Sequence, residues 1–281
     1  MTNINHCQYR YDVIVHPVRA YWLASPAARN IGRILQGVAV QRNRNGALRS
    51  VRRPGRPVGE KDIWESILNV GEQLFATHGY AGTSIRDIAT QAGENQAMIA
   101  YHFGSKTGLF DAVFKRRGLA VVQQRVNLLN ALEARRGRPP NVRELVEAYL
   151  RPQFDMKRSG PAGLAFCRLQ ARLHNEPEEL AFRLRREVYD VSTKQYIAAL
   201  ERALPKVDPA DISFRMMFLI GTYLYMLADV DRLDELSDHR FNANDLDELV
   251  TRMVDFLAGG LQASSSLGRK PANSARGRRR T

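Results

Sequence analysis

The chain predicts an all-α protein, and three observations predict it. Between residues 60 and 262 apolar side chains return every three or four positions, the period of a helix with one buried face. The runs end at Gly79, Gly93, Gly137, the Pro139-Pro140 and Gly160-Pro161 pairs, Pro177 and Pro205, residues that stop helices. No run alternates apolar and polar residues as a half-buried strand does. The chain is read as an extension over 1–58, a three-helix unit over 59–107, a larger helical unit over 108–262 and a tail over 263–281.

The extension has no sustained period, and QRNRNGALRS within it is polar and loop-like, so little fixed structure is expected. Two origins stay open for residues 1 to 50, a start site assigned too early and a real basic extension. At its end VRRPGRPVGE interleaves Arg52, Arg53 and Arg56 with Pro54, Gly55 and Pro57, which bars a helix and makes an arm. Arginines in such an arm can follow phosphates or enter a narrow minor groove. A solubilising linker is the plainer alternative.

From Lys61 to about His78, Ile63, Ile67, Val70 and Leu74 share a face with Phe75 beside them, and Gly79 ends the helix. Thr83 or Ser84 can cap the next helix, where Ile85, Ile88, Ala89 and Ala92 recur before Gly93. Asn95 can cap a third, from Gln96 to about Tyr101, anchored by Ile99 and Phe103. Two helices joined by a short Gly-containing turn form a helix-turn-helix, whose second helix can enter the major groove of DNA. Many such hairpins bind nothing, so the pattern alone leaves both readings open.

A long helix is expected from Thr107 to about Arg136, followed by helices over about 142–157, 162–174, 177–203, 209–229 and 244–262. The last two carry apolar stripes, Phe214, Met217, Phe218, Gly221 and Tyr225 on one, Leu246, Leu249, Val250, Met253 and Leu257 on the other. Stripes this apolar need burial, in the chain's own core or against another copy.

The net charge of +13 points to a polyanionic partner, but its placement matters. Residues 1–59 carry +9 and residues 263–281 carry +6, which leaves residues 60–262 at −2. Residues 60–117 hold six basic against seven acidic side chains, so a reading head there needs cations from the arm. The low-complexity basic tail can hold a DNA backbone without sequence choice, or be only solvated.

Cys7 and Cys167 imply no disulfide framework and fit a reducing compartment. No apolar run approaches the ~20 residues that span a bilayer, and VIVHPVRAYWLA is broken by His, Pro and Arg, so no membrane span or signal peptide is expected. Enzyme signatures are missing as well. GSKTG at Gly104 to Gly108 lacks the glycines of a phosphate-binding loop, and no HExxH or GxSxG occurs. No cofactor and no metal are expected.

The succession GEQLFATHGYAGTSIRDIATQAG, closed by YHFGSKTGLFDAVF, resembles the DNA-binding domain of the TetR/AcrR family of bacterial regulators over about Ile63 to Phe114. That resemblance implies a helix-turn-helix head over 59–107 and an effector-binding and dimerisation body over 108–262. It implies a bacterial, cytoplasmic, nucleoid-associated homodimer, a repressor of transcription that binds a palindromic operator in double-stranded DNA. Gln96, Ala97 and Met98 are then the candidate base readers. Tyr101, His102 and Lys106 fall at phosphate-contacting positions, with packing of the small core the alternative for Tyr101 and His102; Asn95 both caps and contacts phosphate, and Thr83, Ser84 and Arg86 brace the backbone. Ala100 stands where many relatives carry Tyr, which removes one contact or changes the bases preferred. The last two helices would pair between subunits, giving their stripes a dimer interface.

The body, from PNVRELVEAYLRPQF to MVDFLAGGLQ, more loosely resembles the fatty-acid-responsive PsrA-like branch. This implies a small apolar effector, a fatty acid or acyl-CoA. Candidate pocket walls are Phe154, Phe166, Cys167, Leu169, Leu173, Phe182, Tyr189, Tyr196, Phe218, Tyr223 and Tyr225, with Arg168, Arg172 or His174 as anchors. Apolar residues on helices are core far more often than pocket. The rival reading is a nucleoid-associated DNA-binding protein of the same fold with no effector.

Overall fold

The computed structural model describes residues 60–228 and 232–264, and among them it is all helical. In chain order the helices are α1 (Glu60–His78), α2 (Ile85–Ala92), α3 (Gln96–Phe103), α4 (Lys106–Glu133), α5 (Val142–Arg158), α6 (Pro161–Arg172), α7 (Glu178–Ala203), α8 (Pro209–Ala228), α9 (Arg232–Leu236) and α10 (Leu246–Gln262). A single 3₁₀ turn, Leu173–Asn175, joins α6 to α7. The short α9 has no apolar period to announce it. It ends where Asp238 and His239 take the left-handed conformation. Arg52, Arg53 and Arg56 lie outside the described residues.

Local chemistry sets the helix ends. Ser84 accepts the Asp87 N–H, Asn95 that of Met98, and Ser105 that of Gly108, so α2, α3 and α4 each begin on a side-chain cap. At α5, Asn141 and Glu144 satisfy one another's backbone N–H groups in a capping box. Gly93 closes α2 at φ 73°, a conformation that costs glycine nothing. Pro152 sits inside α5 and leaves the Ala148 carbonyl without its helical donor.

Two apolar clusters hold the helices together. In the first, Ile67, Leu68 and Phe75 of α1 meet Ile88 of α2, Ile99 of α3 and Leu109, Phe110, Val113 and Phe114 of α4. Phe75 and Phe110 pack edge to face at 4.9 Å. The same cluster takes Phe166, Leu169 and Leu173 from α6 and its following turn, and Leu184 and Val188 from α7. The apolar core of the three-helix unit is thus continuous with side chains of α6 and α7. Between α1 and α4 the buried Glu72 carboxylate accepts Arg117 Nε at 2.6 and 2.8 Å and also pairs with Arg116. A buried carboxylate met by two guanidinium groups is compensated, and it locks the two helices in register.

The second cluster joins α5, α7, α8 and α10. Here the α10 stripe meets its outcome. Leu249, Val250, Met253 and Leu257 are all buried in the chain's own core, with Leu246 packed against it, so they offer no surface to a second copy. The other face of α10 is polar apart from Phe256, which leaves the stripe only one way to turn. The α8 stripe behaves differently, because α8 is apolar on two faces. Ile212, Met216, Leu219, Tyr223 and Leu227 fill the core, while Phe214, Met217, Phe218 and Tyr225 stand more than half exposed.

Candidate nucleic-acid interface

The α2–turn–α3 unit presents one face to α1 and α4 and another to solvent. Ile88, Ala89 and Ile99 are buried on the inner face, and Trp64 of α1 stacks on Phe103 with ring centres 6.1 Å apart. On the outer face Gln96, Ala97 and Ala100 are exposed, as are Arg86 and Asn95. Tyr101 is 74% exposed, a large amphipathic side chain left without cover. A shallow groove of about 470 Å³ runs beside α3, lined by Gln96, Ala97, Ala100, Ser105 and Lys106.

The remaining candidates are placed less freely. Met98 is half-buried and leans on the head's apolar cluster, so its side chain braces α3 as much as it faces outward. His102 lies between Tyr101 and Phe103, at 5.0 and 6.1 Å, and its Nε2 is buried without a partner, so that nitrogen does not face a phosphate. Thr83 is buried, its hydroxyl donating to the Gly79 carbonyl at 2.8 Å, which removes it from the bracing role. Ser84 caps α2 and donates to Asp87 at 2.6 Å. Lys106 reaches over the Tyr80 ring at 4.4 Å, a cation–π contact that holds its ammonium at the start of α4, and Tyr80 in turn bonds the Thr107 hydroxyl at 2.7 Å.

The pocket candidates are not gathered into one cavity wall. Phe166, Leu169 and Leu173 belong to the cluster shared with the head, Phe154 and Cys167 to the other. Phe218 and Tyr225 point out of the monomer, and Arg168 is exposed. Arg172 donates to the Thr77 carbonyl at 3.1 Å, which ties α6 to α1. Burial pushes the Cys167 thiol up to about 11, so it is a neutral packing group. Tyr189, Tyr196 and Tyr223 surround a residue not singled out from the sequence, Arg125. Its signal was present, since it falls in the buried register of α4 with Phe114, Gly118, Val121 and Leu129. An Arg on an apolar stripe is the exception worth following.

Among the described residues no helix is long and apolar enough to cross a membrane, and no group of three or more His, Cys, Asp or Glu side chains is placed to hold a metal ion.

An exposed, capped recognition helix on a three-helix head, continued into a helical body, defines a helix-turn-helix protein of the regulatory type. Known proteins agree. Residues 67–113 match the model for bacterial regulatory proteins of the tetR family, and residues 147–260 match the tetracyclin repressor-like C-terminal domain. Together the two span more than half of the chain, which belongs to the tetR family of regulators.

The chain is 30% identical over 122 residues to the HTH-type transcriptional repressor Rv3405c of Mycobacterium tuberculosis, a match covering 35% of this chain and 64% of that protein. It is 32% identical over 88 residues to the repressor AcnR of Corynebacterium efficiens, covering 31% of this chain and 45% of that one. The matched stretches thus span under two thirds of these relatives. Among solved structures, HlyIIR, a hemolysin II transcriptional regulator, superposes with a TM-score of 0.50 at 22% identity, over 71% of this chain and 99% of that one. A linker-substituted mutant of HlyIIR gives 0.51 at 23%, over 73% and 100%. At these identities the likeness establishes the fold.

Proposed function

We propose that the protein is a DNA-binding transcriptional repressor, in which 59–107 is the reading head and 108–262 the effector-binding and dimerisation body. The observation that carries this reading is α3: an eight-residue helix capped by Asn95, anchored by Ile99, with Gln96, Ala97 and Tyr101 uncovered on one side. Gln can bond bidentately to an adenine edge, Ala can touch a thymine methyl, and a Tyr hydroxyl suits a phosphate. Arg86 and Lys106 supply the nearest cations among these candidates, with Arg52, Arg53 and Arg56 adding charge from the arm.

One head offers too small an interface for tight sequence choice, so the operator is read as a palindrome by a homodimer. The exposed α8 residues Phe214, Met217, Phe218 and Tyr225 support α8 as the pairing face, and Gly221, with open space where a Cβ would stand, lets a second copy come close. Phe256 of α10 replaces the buried α10 stripe as that helix's exposed apolar side chain. The effector in this reading is a small, largely apolar molecule of fatty acid or acyl-CoA type, whose binding favours a dimer with its heads wrongly set for DNA.

Selecting genomic fragments with the purified protein and measuring their affinity by fluorescence anisotropy tests the reading. Tight binding by the wild type, lost in Gln96→Ala/Tyr101→Ala, supports it; equal weak binding by both contradicts it. The effector-free reading draws on one observation, that the buried pocket candidates Phe154, Phe166, Cys167, Leu169 and Leu173 are packed as core. The environment of Arg125 argues the other way.

A further inference from the structure

Arg125 stands in the middle of the helical body with no exposed surface. Its Nε donates to the Tyr149 carbonyl at 2.8 Å, and its guanidinium lies 3.8 Å over the Tyr149 ring and 5.4 Å from that of Tyr223. Nη1 and Nη2 are both buried and reach no partner in full hydrogen-bond geometry, the Tyr223 hydroxyl meeting the guanidinium only as a looser neutral partner. The Tyr189 hydroxyl, which interacts electrostatically with Arg125, is also buried without one. Tyr196 is occupied, donating to the Arg125 carbonyl at 2.9 Å, and Tyr149 meets the Thr193 hydroxyl at 3.2 Å.

Nothing here balances the charge. A guanidinium keeps its proton inside proteins. Burial pushes the hydroxyls of Tyr189, Tyr196 and Tyr223 up, that of Tyr223 to about 12, so these phenols are neutral. The other buried charged side chain among the described residues, Glu72, is committed to Arg116 and Arg117 in the other cluster. A buried ion without a counter-ion is among the costliest arrangements a protein can hold. The two Nη groups, with at most the neutral Tyr223 hydroxyl beside them, form the fork that a carboxylate meets with two parallel bonds, and Tyr189 adds a donor.

We infer that Arg125, with Tyr189, is the receptor for the carboxylate of a monoanionic ligand with an apolar body. A single cation among neutral phenols suits one negative charge better than the two of a phosphate. The cluster that holds Tyr149, Tyr196 and Tyr223 is otherwise apolar, with Leu129, Phe154 and Leu200 in it, and suits a hydrocarbon or an aromatic ring. Since Arg125 is fully enclosed, entry requires α4, α5, α7 and α8 to part. The helix α4 runs unbroken from Arg125 back to Leu109 and Phe110 beneath the reading head, so this parting displaces the head's support. That consequence rests on the repressor reading; the binding does not.

The test is calorimetric titration of the full chain with octanoate and benzoate, beside octanamide and benzamide as uncharged matches. One acid binds at one site per protomer, and its amide binds at least about tenfold more weakly, as loss of a charge-assisted pair requires. Arg125→Met, checked for helix content, loses about a hundredfold in acid affinity and the preference over the amide, and Tyr189→Phe loses a few-fold. Should Arg125→Met not fold, the acid–amide comparison on the wild type and Tyr189→Phe decide alone. Failure of both acids to bind, equal binding of acid and amide, or unchanged binding to Arg125→Met overturns the inference. DNA binding is measured separately: a chain that binds the acid but no DNA keeps this site and loses the repressor reading, and one that binds DNA but neither acid does the reverse.

Discussion

The Glu176 carboxylate accepts the backbone N–H of Tyr80 through both oxygens, at 3.0 and 3.1 Å, across ninety-six positions of sequence. Tyr80 comes after the glycine that ends α1, and Glu176 after the 3₁₀ turn that closes α6. With Arg172 on the Thr77 carbonyl, it clasps the last turn of α1 to the body. Glu176→Ala is expected to cost about 1.5–3 kcal/mol, the scale of a hydrogen bond to a charged group. Chemical denaturation measures the loss, and hydrogen exchange at the Tyr80 amide localises it.

Gly79→Ala should cost more. Gly79 has φ 73°, and a Cβ there would meet Glu176 Oε1 at 2.9 Å, so the substitution strains the backbone and pushes the clasp open. The left-handed conformation alone accounts for about 1–2 kcal/mol. A stability loss no greater than that of Glu176→Ala would contradict this geometry.

These contacts mark what the sequence withholds. Helix ends were legible because their causes are local: Ser84 and Asn95 cap, and Gly79, Gly93 and Gly137 turn left-handed. The uncovered face of α3 was legible too, since Ile99 and Phe103 fix its inner side. The outward stripe was not. Both α8 and α10 show apolar spacing, and only three-dimensional packing shows that α8 has apolar residues to spare while α10 places its own inside. Thr83 was misplaced for a similar reason, as the Gly79 carbonyl that engages it depends on how the turn closes, while for His102 the alternative of packing is the one its buried Nε2 favours.

That difference between stripes is testable. Phe218→Glu on the exposed α8 face is expected to leave the protein folded and shift it to monomer by sedimentation equilibrium. Met253→Ala on the buried α10 face is expected to cost about 2–4 kcal/mol of stability by cavity formation, without a specific effect on assembly. The opposite pattern would restore α10 as the interface.

The capping box of α5 makes stability depend on pH. The Arg135 guanidinium and the Asn141 N–H, joined by Arg138, hold the Glu144 carboxyl down at about 2, below its ordinary 4.5. The folded state thus favours the charged form. Its contribution is complete above pH 4.5 and is lost as pH falls toward 2. With both arginines substantially exposed, it amounts to about 0.5–1 kcal/mol. Glu144→Gln keeps the cap geometry but not the charge, so the stability gap between it and wild type should close across that window.

Replacing the α3 cap tests whether a preformed helix matters to DNA binding. Asn95→Ala should weaken α3 by about 1 kcal/mol and lower DNA affinity in proportion, with unchanged base preference. A changed preference would mean that Asn95 reads a base itself.

The most direct test of the central claim is selection of bound duplexes from a fully randomised DNA pool, at about 0.2 M salt so that nonspecific phosphate binding is suppressed. Wild type and Gln96→Ala/Tyr101→Ala are run side by side. The account predicts that the wild type enriches an inverted repeat and the variant does not. No enriched sequence with the wild type, or the same repeat with both proteins, would contradict α3 as the reading element.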